Sequence, residues 1–490
     1  MNISQAARQL EIAARAYALQ DKQGMPLIPS EAQRPVYLVG PPGVGKTAAV
    51  RQVVERLGVG LASYTMTHHT RQSALGLPQI VRRSFGGHEL AVTEYTMSEI
   101  LLGVYQRVEA GQKHGILFLD EINCVSETLT PALLELLQHK RFGEFAVPEG
   151  WMIVCAGNPE RYNRSAHAFD PVTLDRLRVI EIEPDLEAWL NYASERRVRA
   201  SIRGYLRLRP QDFYAADGDS AVTPRSWTDL SVMMDALEVL GEVPDGALYR
   251  QYLQCGGVAD SFALYEALGR GIAGQLQLDK LLDTGFNTTQ VQTLAGAAFD
   301  EMLFAAMLLA DDMRRRAADF ERHRELAGRL QSFVSGVALD ISGSGARLDV
   351  CRAHLQRMEH AMEVRRDVGA ISAQDETDER ALFDLIRQTI AAAGESPDVD
   401  AALAVRVRAN AESVEAGRGA LVLALTRGLD FAEAAFANPH IKVIFLSELT
   451  RSGAAERFLR RELGGRLDAL RADADPDLRT QRLLNQRENG

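Results

Sequence analysis

The chain has 490 residues, of which 46% are hydrophobic and 25% charged, with a net charge of −11. That length is too great for one ordinary core and predicts roughly two to four globular domains. The acidic balance argues against a nucleic-acid coat protein, and no apolar run approaches the roughly 18 residues of a membrane span.

The opening stretch, "MNISQAARQLEIAARAY", lacks an apolar signal core and reads as an amphipathic helix. Cys124, Cys155, Cys255 and Cys351 are scattered without a C-x-x-C pair, so neither disulfides nor a zinc knuckle is expected. Together these features predict a reduced, cytoplasmic protein. An apolar strand, Val36–Val39, then runs into "GPPGVGKT". The spacing Gly40-x-x-x-x-Gly45-Lys46-Thr47 fits a phosphate-binding loop, with the strand before it and a helical "KTAAVRQVVERLG" after it. Gly40, Pro41, Gly43, Val44 and Gly45 form a backbone-rich cradle, and the helix start turns free N–H groups toward an anion. Lys46 is placed to reach the β- and γ-phosphates of ATP, and Thr47 to hold Mg²⁺. A glycine-rich turn before an ordinary helix is the bland alternative.

A second strand is expected over Gly60–Tyr64. "LPQIVRRSFGGHELAVTEY" then reads as a hairpin about Gly86 and Gly87, inserted before the helical "TMSEILLGVYQRVEAG". "GILFLDEIN" gives a buried strand, Ile116–Leu119, with Asp120 and Glu121 at its carboxyl end. There Asp120 can hold the same Mg²⁺, and Glu121 can orient and deprotonate an attacking water. "KRFGEFAVPEGWMIV" predicts another hairpin leading into a strand at Met152–Ala156, and Asn158 follows that strand beside the acid pair. "DPVTLDRLRVIEIE" sets Arg176 before the last core strand, Val179–Ile182. "VTPRSWTDL" puts Arg225 at a helix start, capped by Thr223 and Pro224.

From about Leu186 strand signals almost vanish, and nearly everything beyond Leu248 is helical in pattern, with loops expected at Ile341–Arg347 and Gly394–Val399. Alternating strands and helices followed by helices alone predict an α/β nucleotide domain with a parallel sheet, a helical lid and a C-terminal all-helical domain. The boundaries expected are 1–187, 188–245 and 246–490. Several signals read as ordinary structure. His68 and His69 have no acid or cysteine at ligand spacing, so no metal role is assigned to them. The basic run Arg196–Arg209 and the mixed-charge "DDMRRRAADFERHRE" read as solvated helical faces. Cys124 has no basic neighbour in sequence that would make a reactive thiolate.

With "GPPGVGKT", "LFLDEIN", "AGNP", "TLDRLR" and "TPRSW" in that order, residues 25–240 resemble the AAA+ ATPases. The extra hairpin near Gly86 is similar to the MoxR-like branch, and "THHTRQSALGLP", "EYTMSEI", "DEINCVSETL" and "VPEGW" to a bacterial subgroup of it. The resemblance implies a hexameric ring that hydrolyses ATP at subunit interfaces to remodel or activate a protein client. It also implies a partner with a von Willebrand factor A domain. By that resemblance Lys46 and Thr47 are phosphate-loop contacts, Asp120 and Glu121 the second acidic motif, and Asn158 sensor 1. Arg176 is then the arginine finger and Arg225 sensor 2, with Arg178 as the alternative finger because "LDRLR" lacks the aromatic of many relatives. Two rival readings stand beside this one: a nucleic-acid-directed motor of a defence or restriction system, and a nucleotide-gated scaffold that hardly turns over.

Overall fold

The computed structural model describes residues 1–474 except 69–73, 75, 87, 127, 164, 218–219, 339–343, 368–370, 372, 395–397 and 452. His69, Gly87 and much of the two loops expected in the helical region lie outside the described residues. The chain forms two compact units, Met1–Ala188 with Ala361–Glu376, and Trp189–His360 with Thr377 onward.

In the first unit five strands form one parallel sheet: β1 (Val36–Val39), β2 (Gly60–Thr65), β5 (Gly115–Asp120), β8 (Trp151–Gly157) and β9 (Arg178–Glu181), in the order β2-β5-β8-β1-β9. All five expected strands are present, with ends within one residue of those read from the sequence. Both faces are covered, which is why the strands read as continuous apolar runs. On one face Leu117, Leu119, Ile153 and Cys155 pack with Ile100, Val104, Leu133 and Leu136 from the helices Glu99–Glu109 and Thr130–His139. On the other, Ile116, Phe118, Met152 and Val154 are also buried, and the helix Lys46–Leu57 packs there. The N-terminal helix Ile3–Tyr17 lies against that helix with Ala6, Leu10 and Ala13 buried. Both hairpins are formed. β3 (Pro78–Phe85) pairs with β4 (His88–Tyr95), and β6 (Arg141–Phe142) with β7 (Phe145–Ala146).

Among the described residues the second unit is helical apart from one small hairpin, β10 (Ala215–Asp217) with β11 (Ser220–Val222). The sequence did not announce it, because "AADGDSAV" has only one residue of strong strand preference. Its longest helices, Phe299–Ala338 and Val399–Ala435, pack on each other, and Pro439–Leu449 and Ala454–Ala474 close a core of Leu303, Leu309, Met313, Leu425, Phe445 and Phe458. Segments 189–245 and 246–360 share this unit: Tyr205 and Trp227 meet Phe262 edge to face, with centroids 5.2 and 5.4 Å away.

The solvated-face reading of the basic run needs correction. The run is broken at Arg197, whose φ of 58° separates the helices Leu186–Glu195 and Ala200–Leu208. Arg203 is wholly buried, pairing with Glu448 and Asp311 and donating to the Val198 carbonyl at 2.8 Å. Arg199 donates to Asp235 and Glu238 at 2.8 and 2.7 Å, and Arg197 to Asp319 at 2.9 Å. Arg314, from the mixed-charge stretch, is also largely buried and lies 3.5 Å from Glu448. Burial became possible because carboxylates from distant helices meet these guanidiniums, which no local charge pattern reveals. Among the described residues no helix is long and apolar enough to cross a membrane.

Candidate active site

The carboxyl ends of β1, β5 and β8 lie side by side in the first unit, the edge of an open α/β sheet where ligands bind. The loop leaving β1 turns on Gly43 and Gly45, at φ 75° and 95°, conformations a side chain would strain. Gly45 caps the helix Lys46–Leu57, leaving its first N–H groups directed out of the helix start. Gly40 ties the loop to the neighbouring strand by donating to the Gly157 carbonyl at 3.3 Å.

Lys46 is buried and its ammonium bridges two strand ends. Nζ donates to the Gly40 and Pro41 carbonyls at 2.8 and 2.9 Å and to Asn158 Oδ1 at 2.8 Å. Next to it, Thr47 Oγ1 donates to Asp120 Oδ2 at 2.7 Å, while the Glu121 N–H donates to Asp120 Oδ1 at 3.0 Å. The two oxygens of Asp120 are thus oriented by its own chain. Glu121 has the left-handed backbone of φ 55° and ψ 36°, a conformation costing roughly 1–3 kcal/mol, found where a site dictates side-chain direction. Its Oε2 accepts from Thr67 Oγ1 at 3.0 Å. Lys46, Thr47, Asp120, Glu121 and Asn158 are therefore one connected group.

Two residues bonded to this group were not read from the sequence. Thr67 follows β2, the neighbour of β5, so only the strand order reveals that it meets Glu121. Asn123 lies in "DEIN" itself; its amide donates from Nδ2 to the Asn158 carbonyl at 2.7 Å and accepts the Asn158 N–H at 3.3 Å. Cys124, by contrast, has its thiol pushed up by burial and by Glu121, in keeping with an unreactive reading.

The arginines separate clearly. Arg176 caps the short helix Pro171–Asp175, is exposed, and makes a long 3.4 Å contact from its guanidinium to the Val172 carbonyl. Arg178 starts β9 and donates to Gln9 Oε1 at 2.6 Å, which holds it within its own chain. Arg225 belongs to the second unit, exposed at the second position of the helix Pro224–Leu240, whose cap is Thr223 with Ser226.

Residues 35–177, the stretch carrying this whole group except Arg178 and Arg225, match the family model of the AAA domain, dynein-related subfamily. This segment is an AAA domain. The AAA domain accounts for the parallel sheet and implies nucleotide binding. No curated protein matches the chain. Among solved structures, NtrX from Brucella abortus in complex with ADP is similar at 15% identity, with a TM-score of 0.29. The match covers 50% of this chain and 50% of that one, so the chain spans about half the length of that protein.

Proposed function

We propose that this AAA protein is a ring-forming ATPase of the MoxR-like branch, converting ATP and water to ADP and phosphate and using the cycle to remodel a protein client. The observation that carries the reading is the convergence of Lys46, Thr47, Asp120, Glu121 and Asn158 at three neighbouring strand ends. Lys46, leaving its loop carbonyls, meets the β- and γ-phosphates, and the N–H groups of the Gly40–Gly45 loop surround them. Thr47 Oγ1 and Asp120 supply the hard oxygen donors that fit Mg²⁺. When bound, that ion neutralises charge on the β- and γ-phosphates. Glu121 takes a proton from the water as the water oxygen bonds to the γ-phosphorus and the bond to the β–γ bridging oxygen breaks. Asn158 orients the water and the terminal phosphate.

Arg176 completes the pocket of the neighbouring subunit. Its exposure supports that role over Arg178, which Gln9 holds. Residues 188–245, with Arg225 as a phosphate-sensing group, serve as the lid. The helical region 246–490 serves as the partner module, the client being recognised in company with a von Willebrand factor A domain protein, and six subunits make the ring. The pairing of Arg197, Arg199, Arg203 and Arg207 within their own unit weakens the nucleic-acid alternative.

The test is a pair of variants. Glu121→Gln should keep ATP binding and lower turnover by roughly 10²–10⁴, whereas Lys46→Ala should weaken binding itself. Equal turnover in wild type and Glu121→Gln sinks the assignment. Light scattering of Glu121→Gln with ATP should report a ring; a monomer at micromolar protein counts against the mechanism.

A further inference from the structure

Asn123 is 5% exposed, two residues beyond Glu121 in the short turn Ile122–Cys124. Its carboxamide engages both main-chain groups of Asn158: Nδ2 donates to the carbonyl at 2.7 Å, and Oδ1 accepts the N–H at 3.3 Å. This is the pairing one strand residue offers another, made here by a side chain. It carries the β5–β8 ladder past Leu119 and Cys155, the last paired residues of those strands. Asn123 is fixed in turn, since its own carbonyl accepts the His167 N–H at 2.8 Å. A close fit requires it as well. Gly157 leaves the space into which Asn123 Oδ1 and the Tyr37 hydroxyl project, and any Cβ at Gly157 would collide with both. Beyond the amide pair, Asn158 Oδ1 accepts from Lys46 Nζ at 2.8 Å. One rigid connection therefore runs from the backbone that aims Glu121, through Asn123, to the side chain at the end of β8 that meets Lys46.

We infer that Asn123 is a positioning residue for the hydrolytic site: it sets Asn158 against the Glu121 segment, so that the water-orienting amide and the water-activating carboxylate keep one geometry. The inference rests on the proposed ATPase reading. Asn123 touches neither water nor phosphate. Only an amide satisfies both Asn158 groups at once, because a carboxylate accepts but cannot donate and an aliphatic residue does neither. Misplacement by about 1 Å through a supporting residue can cost on the order of 10²-fold in rate with little loss of binding.

The experiment is a double-mutant cycle in the full chain, using Asn123→Ala, Asn158→Ala and the double variant. Steady-state turnover, affinity for a fluorescent ATP analogue and thermal melting are measured together. Asn123→Ala should lower kcat by about 10–100-fold with nucleotide affinity changed less than about threefold. The double variant should be no slower than Asn158→Ala, since a residue acting only through Asn158 adds nothing once Asn158 is gone. Asn123→Asp keeps the side-chain volume but replaces the donor with a charged acceptor facing the Asn158 carbonyl; it should show at least the same kcat loss, and it carries the cycle if Asn123→Ala fails to fold. Multiplicative losses in the double variant, or a fall in affinity matching the fall in rate, overturn the inference while leaving the ATPase reading in place. A wild-type chain that binds the analogue but does not hydrolyse ATP overturns that reading, and the inference with it.

Discussion

Lys140 is a cation held inside the AAA domain. It ends the helix Thr130–His139 at φ 50°, is 6% exposed, and donates from Nζ to Gln33 Oε1 at 2.8 Å. Burial pushes it down from 10.5 to about 8. The folded chain therefore binds fewer protons than the unfolded chain between those two values, so stability rises with pH across that window. Below about pH 8 the full cost of the buried ammonium is present; above the ordinary lysine value it has gone. Urea unfolding from pH 7 to 10.5 should show a rise of about 1–3 kcal/mol in wild type relative to Lys140→Met. Parallel curves for the two would refute it. A second expectation separates the arginines. Arg176→Ala should bind ATP and lose turnover by roughly 10³–10⁵. Mixed with Lys46→Ala subunits it should recover some activity, because an intact pocket then meets an intact neighbouring arginine. Mixed rings that form and stay inactive rule out the role in trans. Arg178→Ala, losing only the bond to Gln9, should cost about 1 kcal/mol of stability and little turnover.

Elements built on one dominant local signal were legible in the sequence. Gly40–Thr47 carries its own spacing, and "ILFLD" its own apolar run, so loop, strand and acid pair could be placed without a structure. Partners fixed by sheet order could not. Thr67 and Glu121 are 54 residues apart, and Asn123 and Asn158 are 35 apart; only the neighbouring of β2, β5 and β8 brings them together. The same holds for helix contacts in the second unit. Gly269, in the helix Gly256–Leu276, lets the Phe304 ring approach so closely that any Cβ would overlap it. Gly428 is approached instead by the aliphatic ends of Met313 and Leu282, the nearest being the flexible thioether of Met313. Gly269→Ala should therefore destabilise by about 1–3 kcal/mol, while Gly428→Ala should cost distinctly less, offset by up to about 1 kcal/mol of helix preference. Thermal melts of the two variants decide it, and equal shifts would contradict this packing account.

In the whole molecule the helical unit converges on one buried carboxylate. Glu448, wholly buried, faces Arg203, with Arg207, Arg314 and Arg451 at 3.4, 3.5 and 3.4 Å. Removing its charge takes away the carboxylate that these guanidiniums share in the buried core, so Glu448→Gln should cost about 3–5 kcal/mol, read as a lower urea midpoint at unchanged slope. A chain ended at Gly241 should be insoluble, since Tyr205 and Trp227 lose Phe262, and Arg203 loses both Asp311 and Glu448. Soluble, cooperatively melting protein from that truncation would contradict the shared core.

The Arg203–Glu448 pair also has a meaning in time. Its partners are 245 residues apart. On a ribosome adding about 5–20 residues each second, Arg203 emerges roughly 10–50 s before Glu448, the later of its two carboxylate partners. Throughout that interval the early helices of the second unit lack the second carboxylate partner of Arg203 and the late helices that cover their apolar faces. The AAA domain's five strands are complete by Glu181, before this interval begins. Synthesis thus delivers the nucleotide site early and the helical unit late, leaving the newborn chain most in need of protection between those two events.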